Sequence, residues 1–166
     1  MNCRKILVAV DASENAVRAV TYTGEIVGAT PGFQITVMSI ERFPERDTFP
    51  SEAAWHERCQ VLEKQLKQVL EDARTMLEGK GVPAAAIDTH YVASCRPDNA
   101  NAAGGGVKCS PGRSIAQDIL DKLREGGYGT VVVGRRGVSK AEQFLFGSVS
   151  NKIVNEAKNC TVWVVA

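Results

Sequence analysis

Short apolar runs alternate along the chain with longer amphipathic segments. Residues 4–10, RKILVAV, form a nearly continuous apolar run, which is typical of a strand covered on both faces. After Ser13, a residue type that favours helix N-caps, apolar positions recur at helical spacing as far as residue 27. The same order then repeats to residue 165. The sequence predicts further strands at 34–40, 87–93, 129–134 and 161–165 and further helices at 55–79, 113–125 and 148–158.

The helical spacing also predicts which face of the first two helices is buried. In the first helix the residues at helical spacing are Ala16, Val17, Ala19, Val20, Thr23, Ile26 and Val27. In the second helix the apolar stripe is Val61, Leu62, Leu66, Val69, Leu70, Ala73 and Leu77. We expect both sets to pack against a sheet.

Alternation of strands with crossover helices predicts an α/β fold, with a doubly wound, five-stranded, mainly parallel sheet and helices on both faces. A length of 166 residues fits one domain over residues 1–166. Two stretches are longer than this plan needs, the loop 41–55 and a flexible Gly/Asn/Ala-rich insertion at about 95–111. Both follow carboxyl ends of strands, where open α/β sheets bind ligands, so they either shape a site or are tolerated insertions.

Charge and composition exclude several classes of protein. Twenty Lys and Arg against nineteen Asp and Glu give a formal net charge of +1, so the electrostatic attraction expected of a nucleic-acid-binding protein is missing. No apolar run approaches the roughly 20 residues of a membrane span, and the chain opens directly on RKILVAVDAS without a signal-peptide pattern. Five cysteines without a C-x-x-C pair fit a reducing compartment. We therefore expect a soluble, cytoplasmic protein.

Glycines follow the fourth predicted strand in a distinctive arrangement. Gly134 ends the strand, Gly137 follows three residues later, and after nine more residues Gly147 and Ser148 precede an amphipathic helix. Glycines let the backbone approach a phosphate closely, and a helix N-terminus presents free N–H groups and a partial positive charge. Ser148 and Ser150 add hydroxyl groups. The pattern predicts an anion site that is neither a Walker A loop nor a Gly-x-Gly-x-x-Gly fingerprint.

This Gly-x2-Gly-x9-Gly-Ser spacing resembles the ATP-binding signature of the universal stress protein family. The segment ILVAVDASENA at residues 6–16 resembles that family's first strand and turn. The resemblance covers the whole chain in element order, apart from the insertion. It implies an adenine nucleotide alpha hydrolase-like fold and a nucleotide-dependent stress-response module that holds ATP, with Mg²⁺ or Mn²⁺ held by the phosphates.

The resemblance also implies which residues surround the nucleotide. Asp11 would contact the ribose hydroxyls, although an Asp just before Ser13 also suits helix capping. Ile40 would offer backbone groups to adenine. Arg135 and Arg136 either add charge near the phosphates or are solvated loop residues. The implied contact residues are Ala9, Asp11, Ile40, Gly112, Val133, Gly134, Arg136, Gly137, Gly147, Ser148, Val149 and Ser150.

The last strand and the cysteines raise questions of partners. The resemblance implies a homodimer in which the strand 161–165 pairs with its counterpart across a two-fold axis, and pairing would cover an apolar edge strand. Cys95 and Cys109 bracket the insertion and could form a redox clip or share a metal. No neighbouring His or Cys completes a ligand set, so reduced thiols are the simpler interpretation.

Two other classes of function stay open beside the binding module. One is a slow ATPase or nucleotidyl-transfer enzyme, which needs a positioned water and a base, and Glu142 is the only acidic residue between the glycines. The other is a phosphoacceptor receiver with Asp11 as the modified residue. Receivers usually show an acidic pair near strand one and a lysine after a late strand, and neither is evident. The sequence favours the binding module.

Overall fold

The computed structural model describes residues 2–28, 30–94, 114–136 and 146–166. Within them strands and helices alternate in the predicted order. The strands are β1 (Asn2–Ala9), β2 (Gln34–Ile40), β3 (Ile87–Val92), β4 (Tyr128–Gly134) and β5 (Thr161–Val165). The α-helices are α1 (Glu14–Val27), α2 (Glu52–Gly79), α3 (Ile115–Glu125) and α4 (Ser148–Glu156). Short 3₁₀ turns lie at Arg46–Thr48 and Ala84–Ala86.

The strands form one sheet in the order β3-β2-β1-β4-β5, and every neighbouring pair is parallel. β1 lies at the centre, where Ala9 is in register with Met38 of β2 and Val133 of β4. From β3 the chain crosses to β4 on the other side of β1, so the winding direction reverses there. The predicted doubly wound parallel sheet is confirmed.

Two apolar cores cover the two faces of the sheet. Ile6 and Val8 of β1 join one core with residues of α1 and α2. Leu7, on the opposite face, joins the other core with residues of α3 and α4. All three side chains are at most 1% exposed. A central strand buried on both faces explains why its second half, Ile6 to Ala9, is apolar without interruption.

α2 begins three residues before the position that its apolar spacing indicates. The hydroxyl of Ser51 accepts a hydrogen bond from the backbone N–H of Ala54, so the helix is capped and starts at Glu52. Trp55 is buried in the first turn, and its indole N–H donates to the carbonyl of Pro44 at 2.9 Å. This bond fixes the long β2–α2 loop against the helix.

Three residues predicted to be buried are exposed instead. Val17 and Ile26 of α1 are 53% and 51% exposed, and Val61 of α2 is 47% exposed. Cys59, which was not in the predicted stripe, is fully buried. Each helix packs only a narrow stripe against the sheet, and apolar residues one position off that stripe face outward.

α4 ends at Glu156, two residues before the predicted end. Asn159 has φ 55°, a left-handed conformation that turns the chain toward β5 and that Asn tolerates well. None of the helices in the described ranges is long and apolar enough to cross a lipid bilayer.

Replacing Leu77 by alanine should lower the free energy of unfolding by about 2–5 kcal/mol, because its side chain is completely buried between α2 and the sheet. The matched control on the same helix is Val61→Ala, which should change the stability by less than about 0.5 kcal/mol. Urea denaturation followed by circular dichroism measures both values. Equal losses would contradict the packing described for α2.

Candidate functional site

A cavity of about 270 Å³ lies at the carboxyl ends of β1, β2 and β4. The beginnings of α1, α3 and α4 complete its wall. β1 sits between β2 and β4, at the point where the winding of the sheet reverses. Open α/β sheets bind ligands in the crevice at such a switch point, so the topology alone makes this cavity the candidate site.

Ten of the twelve implied nucleotide-contact residues line this one cavity. The two others, Gly112 and Gly137, lie outside the described residues, as do Glu142 and the insertion at 95–111. The structure thus brings together segments that are far apart in the chain. The ten residues are Ala9, Asp11, Ile40, Val133, Gly134, Arg136, Gly147, Ser148, Val149 and Ser150.

The remaining lining residues are all apolar, and the sequence interpretation missed them. They form a wall suited to a flat apolar group such as a nucleobase. Two of them, Ile115 and Ile119, could have been found from the sequence. They lie four residues apart at the start of α3, so they share one face of the helix. The five residues are Val10, Ala16, Met38, Ile115 and Ile119.

Asp11 supports the start of α1 and also faces the cavity. Its Oδ1 accepts hydrogen bonds from both the backbone N–H and the hydroxyl of Ser13. Ser13 in turn is the N-cap, since its oxygen accepts from the backbone N–H of Ala16 at 3.2 Å. A carboxylate has about four acceptor positions, so holding Ser13 is compatible with accepting further hydrogen bonds from a ligand. The hydrogen bonds to Ser13 are therefore compatible with both roles considered for Asp11, support of the helix cap and contact with a ribose.

The main chain of Arg135 ties together three elements around the cavity. Its N–H donates to the carbonyl of Val165 in β5 at 2.6 Å. Its carbonyl accepts from the N–H of Gly147 at 2.8 Å and from the hydroxyl of Ser150 at 2.7 Å. Ser150 is buried, and its single hydroxyl proton is directed to main-chain carbonyls of Arg135 or Gly147. The hydroxyl of Ser150 therefore bonds to the main chain of Arg135 or Gly147 rather than donating a hydrogen bond into the cavity.

Among the α-helices of the described ranges, α4 differs at its N-terminus. α1, α2 and α3 are capped by the side chains of Ser13, Ser51 and Ser114. α4 begins after Gly147 and has no side-chain cap. The first N–H groups of a helix lack intrahelical acceptors and carry a partial positive charge. Since α4 begins at the cavity wall, these groups favour an anion there.

Gly134 packs so closely against Asn15 that there is no room for a side chain, a requirement that the sequence did not reveal. A Cβ at this position would lie 2.9 Å from the carbonyl carbon and Cβ of Asn15 and 3.0 Å from its carbonyl oxygen. The first turn of α1 therefore packs directly on the end of β4. We expected Gly134 to allow close approach of a phosphate, and the structure adds a packing requirement.

The two adjacent arginines, Arg135 and Arg136, differ in their position relative to the cavity. Arg136 lines the cavity, whereas Arg135 is not among the lining residues. The carbonyl of Arg136 accepts a hydrogen bond from Asn15 Nδ2 at 3.0 Å. Of the two arginines considered near an anion, only Arg136 is among the residues that line the cavity.

The structure describes three of the five cysteines. Cys3, Cys59 and Cys160 form no disulfide, and burial raises the pKa of the Cys160 thiol. Cys95 and Cys109 lie outside the described residues. No group of three or more His, Cys, Asp or Glu within the described part of the chain is arranged to hold a metal ion.

Comparison with known proteins gives one family. The sequence model described as "Universal stress protein family" matches residues 2–166. Universal stress protein YxiE of Bacillus subtilis (strain 168) is 40% identical over 50 residues, which make up 30% of this chain and 33% of that protein. That alignment spans about a third of the relative's length.

Solved structures share the fold. A universal stress protein from Archaeoglobus fulgidus in complex with dAMP has 19% identity and a TM-score of 0.59, and the alignment covers 98% of this chain and 97% of that chain. A universal stress protein in complex with cAMP has 17% identity and a TM-score of 0.62, with coverage of 98% and 96%. At these identities the similarity establishes the architecture.

Gly134→Ala should destabilise the chain by about 1–3 kcal/mol, because the added methyl group meets the backbone of Asn15. The matched control is Gly79→Ala at the end of α2, where an added Cβ meets nothing within 4 Å. That variant should be neutral or more stable by up to about 1 kcal/mol. Thermal denaturation compares the two variants, and a neutral Gly134→Ala would refute the close contact.

Proposed function

Because the chain belongs to the universal stress protein family, we propose that it binds an adenine nucleotide, ATP above all, and acts as a nucleotide-dependent stress-response module. One observation carries the proposal: residues implied by the resemblance converge on a single cavity at the switch point of the sheet. The related structures in complex with dAMP and cAMP support an adenine nucleotide as the ligand class.

The base is proposed to occupy the apolar part of the cavity. Met38 and Ile40 come from β2, and Ile115 and Ile119 face them from α3. These side chains offer contact to a planar ring without competing hydrogen bonds. Ile40 ends β2, so its peptide groups lie where the regular strand ladder stops and can serve the polar edge of adenine.

The ribose and phosphates are proposed to occupy the polar part. Asp11 accepts hydrogen bonds from ribose hydroxyls, as a carboxylate does well. The phosphates lie against the uncapped start of α4 at Gly147 and Ser148, with the guanidinium of Arg136 as a counter-charge. A divalent cation, Mg²⁺ or Mn²⁺, would be bound mainly by the phosphate oxygens, because Asp11 is the one carboxylate among the described residues that line the cavity.

We also propose a cytoplasmic homodimer that forms through β5. β5 is an edge strand of the sheet, and the side chains from Val162 to Val165 are only partly buried within one chain. Trp163 packs edge-on against Tyr22 of α1, with ring centroids 5.8 Å apart, which extends the aromatic surface next to this edge. A second copy pairing with β5 would cover the exposed edge.

Ser148→Glu should weaken ATP binding by about tenfold or more, because it puts a carboxylate where the phosphates approach. The same change suits the first turn of a helix, so the melting temperature should not fall. Isothermal titration calorimetry with ATP and with adenosine measures the effect, and adenosine affinity should be retained. The neutral control Ser148→Ala should lose far less ATP affinity, and unchanged ATP binding by Ser148→Glu would contradict the phosphate position.

Asp11→Asn should reduce the preference for a ribose with both hydroxyls. The substitution keeps an acceptor for Ser13 but removes the charge that strengthens hydrogen bonds to the sugar. The wild-type chain should bind ATP about tenfold more tightly than 2′,3′-dideoxy-ATP, and the variant should narrow this ratio. Equal wild-type affinities for the two nucleotides would exclude the ribose contact.

A further inference from the structure

Asn15, the second residue of α1, connects the start of that helix to the end of β4. Its Nδ2 donates to the carbonyl of Arg136 at 3.0 Å, across 121 residues of sequence. The residue does not line the cavity, while Arg136 does. Asn15 would therefore act on a ligand only through the residue that it holds.

The orientation of the Asn15 amide is fixed by its other neighbour. Arg18 Nη1 donates to Asn15 Oδ1 at 3.0 Å, and the same guanidinium pairs with Glu14 at 3.2 Å. A guanidinium can only donate, so it selects the oxygen of the amide and leaves the nitrogen directed at Arg136. The network specifies Asn15 as a donor to the main chain.

Steric contact keeps Asn15 in place as well. Gly134 and Asn15 approach so closely that a Cβ on Gly134 would overlap the backbone of Asn15. The distance between the first turn of α1 and the end of β4 is thus set by packing, and the hydrogen bond then sets the direction of the Arg136 peptide group. Position and direction are controlled by separate interactions.

The two carbonyl groups at the end of β4 are both engaged by protein donors. The carbonyl of Arg135 accepts from Gly147 and Ser150, and the carbonyl of Arg136 accepts from Asn15 at 3.0 Å, with the Ser13 hydroxyl as a more distant donor at 3.5 Å. Carbonyl oxygens repel an anion, so their direction matters at a phosphate site. Asn15 holds the second of them against α1.

We propose that Asn15, oriented by Arg18, is a positioning residue for the phosphate part of the nucleotide site. It keeps the Arg136 carbonyl bonded to α1 and so positions Arg136 at the cavity wall. This inference rests on the proposed function, because it concerns the same site. It assigns a role to a residue that does not itself line the cavity.

Two substitutions separate positioning from stability. Asn15→Ala removes the donor and should lower ATP affinity about tenfold, while adenosine affinity stays within about twofold. Asn15→Asp also lacks the donor and presents a carboxylate to the Arg136 carbonyl. An acidic residue is favourable in the first turn of a helix, which offsets the repulsion between the new carboxylate and the Arg136 carbonyl, so Asn15→Asp should melt no lower than Asn15→Ala while it loses ATP affinity.

Calorimetry with ATP and adenosine and thermal denaturation are run on both variants and on a control. The control is Thr21→Ala, also on α1, whose exposed hydroxyl donates only to the carbonyl of Val17. It should leave both affinities unchanged. Unchanged ATP affinity in Asn15→Ala, or equal losses for ATP and adenosine, would overturn the positioning role while leaving the proposed function intact. A wild-type chain that binds neither ligand would instead contradict the proposed function, and this inference with it.

Discussion

The main-chain hydrogen bonds of one residue, made by the N–H and the carbonyl of Arg135, join the end of β4 to β5 and to the start of α4 beside the cavity. The N–H joins the end of β4 to Val165 of β5, and the carbonyl joins it to the start of α4 through Gly147 and Ser150. A parallel sheet diverges at its carboxyl edge where the winding reverses, so a crevice follows from the topology. These bonds determine what faces the crevice, since they place the N-terminus of α4 beside it.

The capping pattern gives that crevice its chemical character. α1, α2 and α3 each have a serine N-cap whose hydroxyl oxygen accepts a hydrogen bond from a backbone N–H. No side chain caps the first-turn N–H groups of α4. An anion at a helix N-terminus is typically stabilised by about 0.3–1 kcal/mol, and by up to about 2 kcal/mol when partly buried. The apolar wall from β2 and α3 adds a preference for a flat ring next to the anion. Together they match a nucleotide better than either feature does alone.

The periodicity of apolar residues was enough to predict the strands and helices, but it was not enough to predict which side chains contact one another. β1 was recognisable because burial on both faces makes Ile6 to Ala9 an apolar run, and each helix showed its 3.6-residue repeat. The exposure of Val17 and Val61 could not be predicted from the sequence, because an apolar residue beside the buried stripe has the same local sequence pattern as one within it. The start of α2 depended on the Ser51 cap, a signal present in the sequence but preceding the apolar repeat. Most of the candidate site followed from the resemblance, whereas the packing of Gly134 on Asn15 and the inward bond of Ser150 are properties of three-dimensional contact.

The most direct test of the central claim is to follow backbone amide resonances of the ¹⁵N-labelled chain during titration with ATP. Binding at the cavity predicts saturable shifts for Ile40, Gly134 and the amides from Gly147 to Ser150, and little change at exposed positions of α2 such as Val61. The absence of saturable shifts, or shifts confined to residues away from the cavity, would contradict the account.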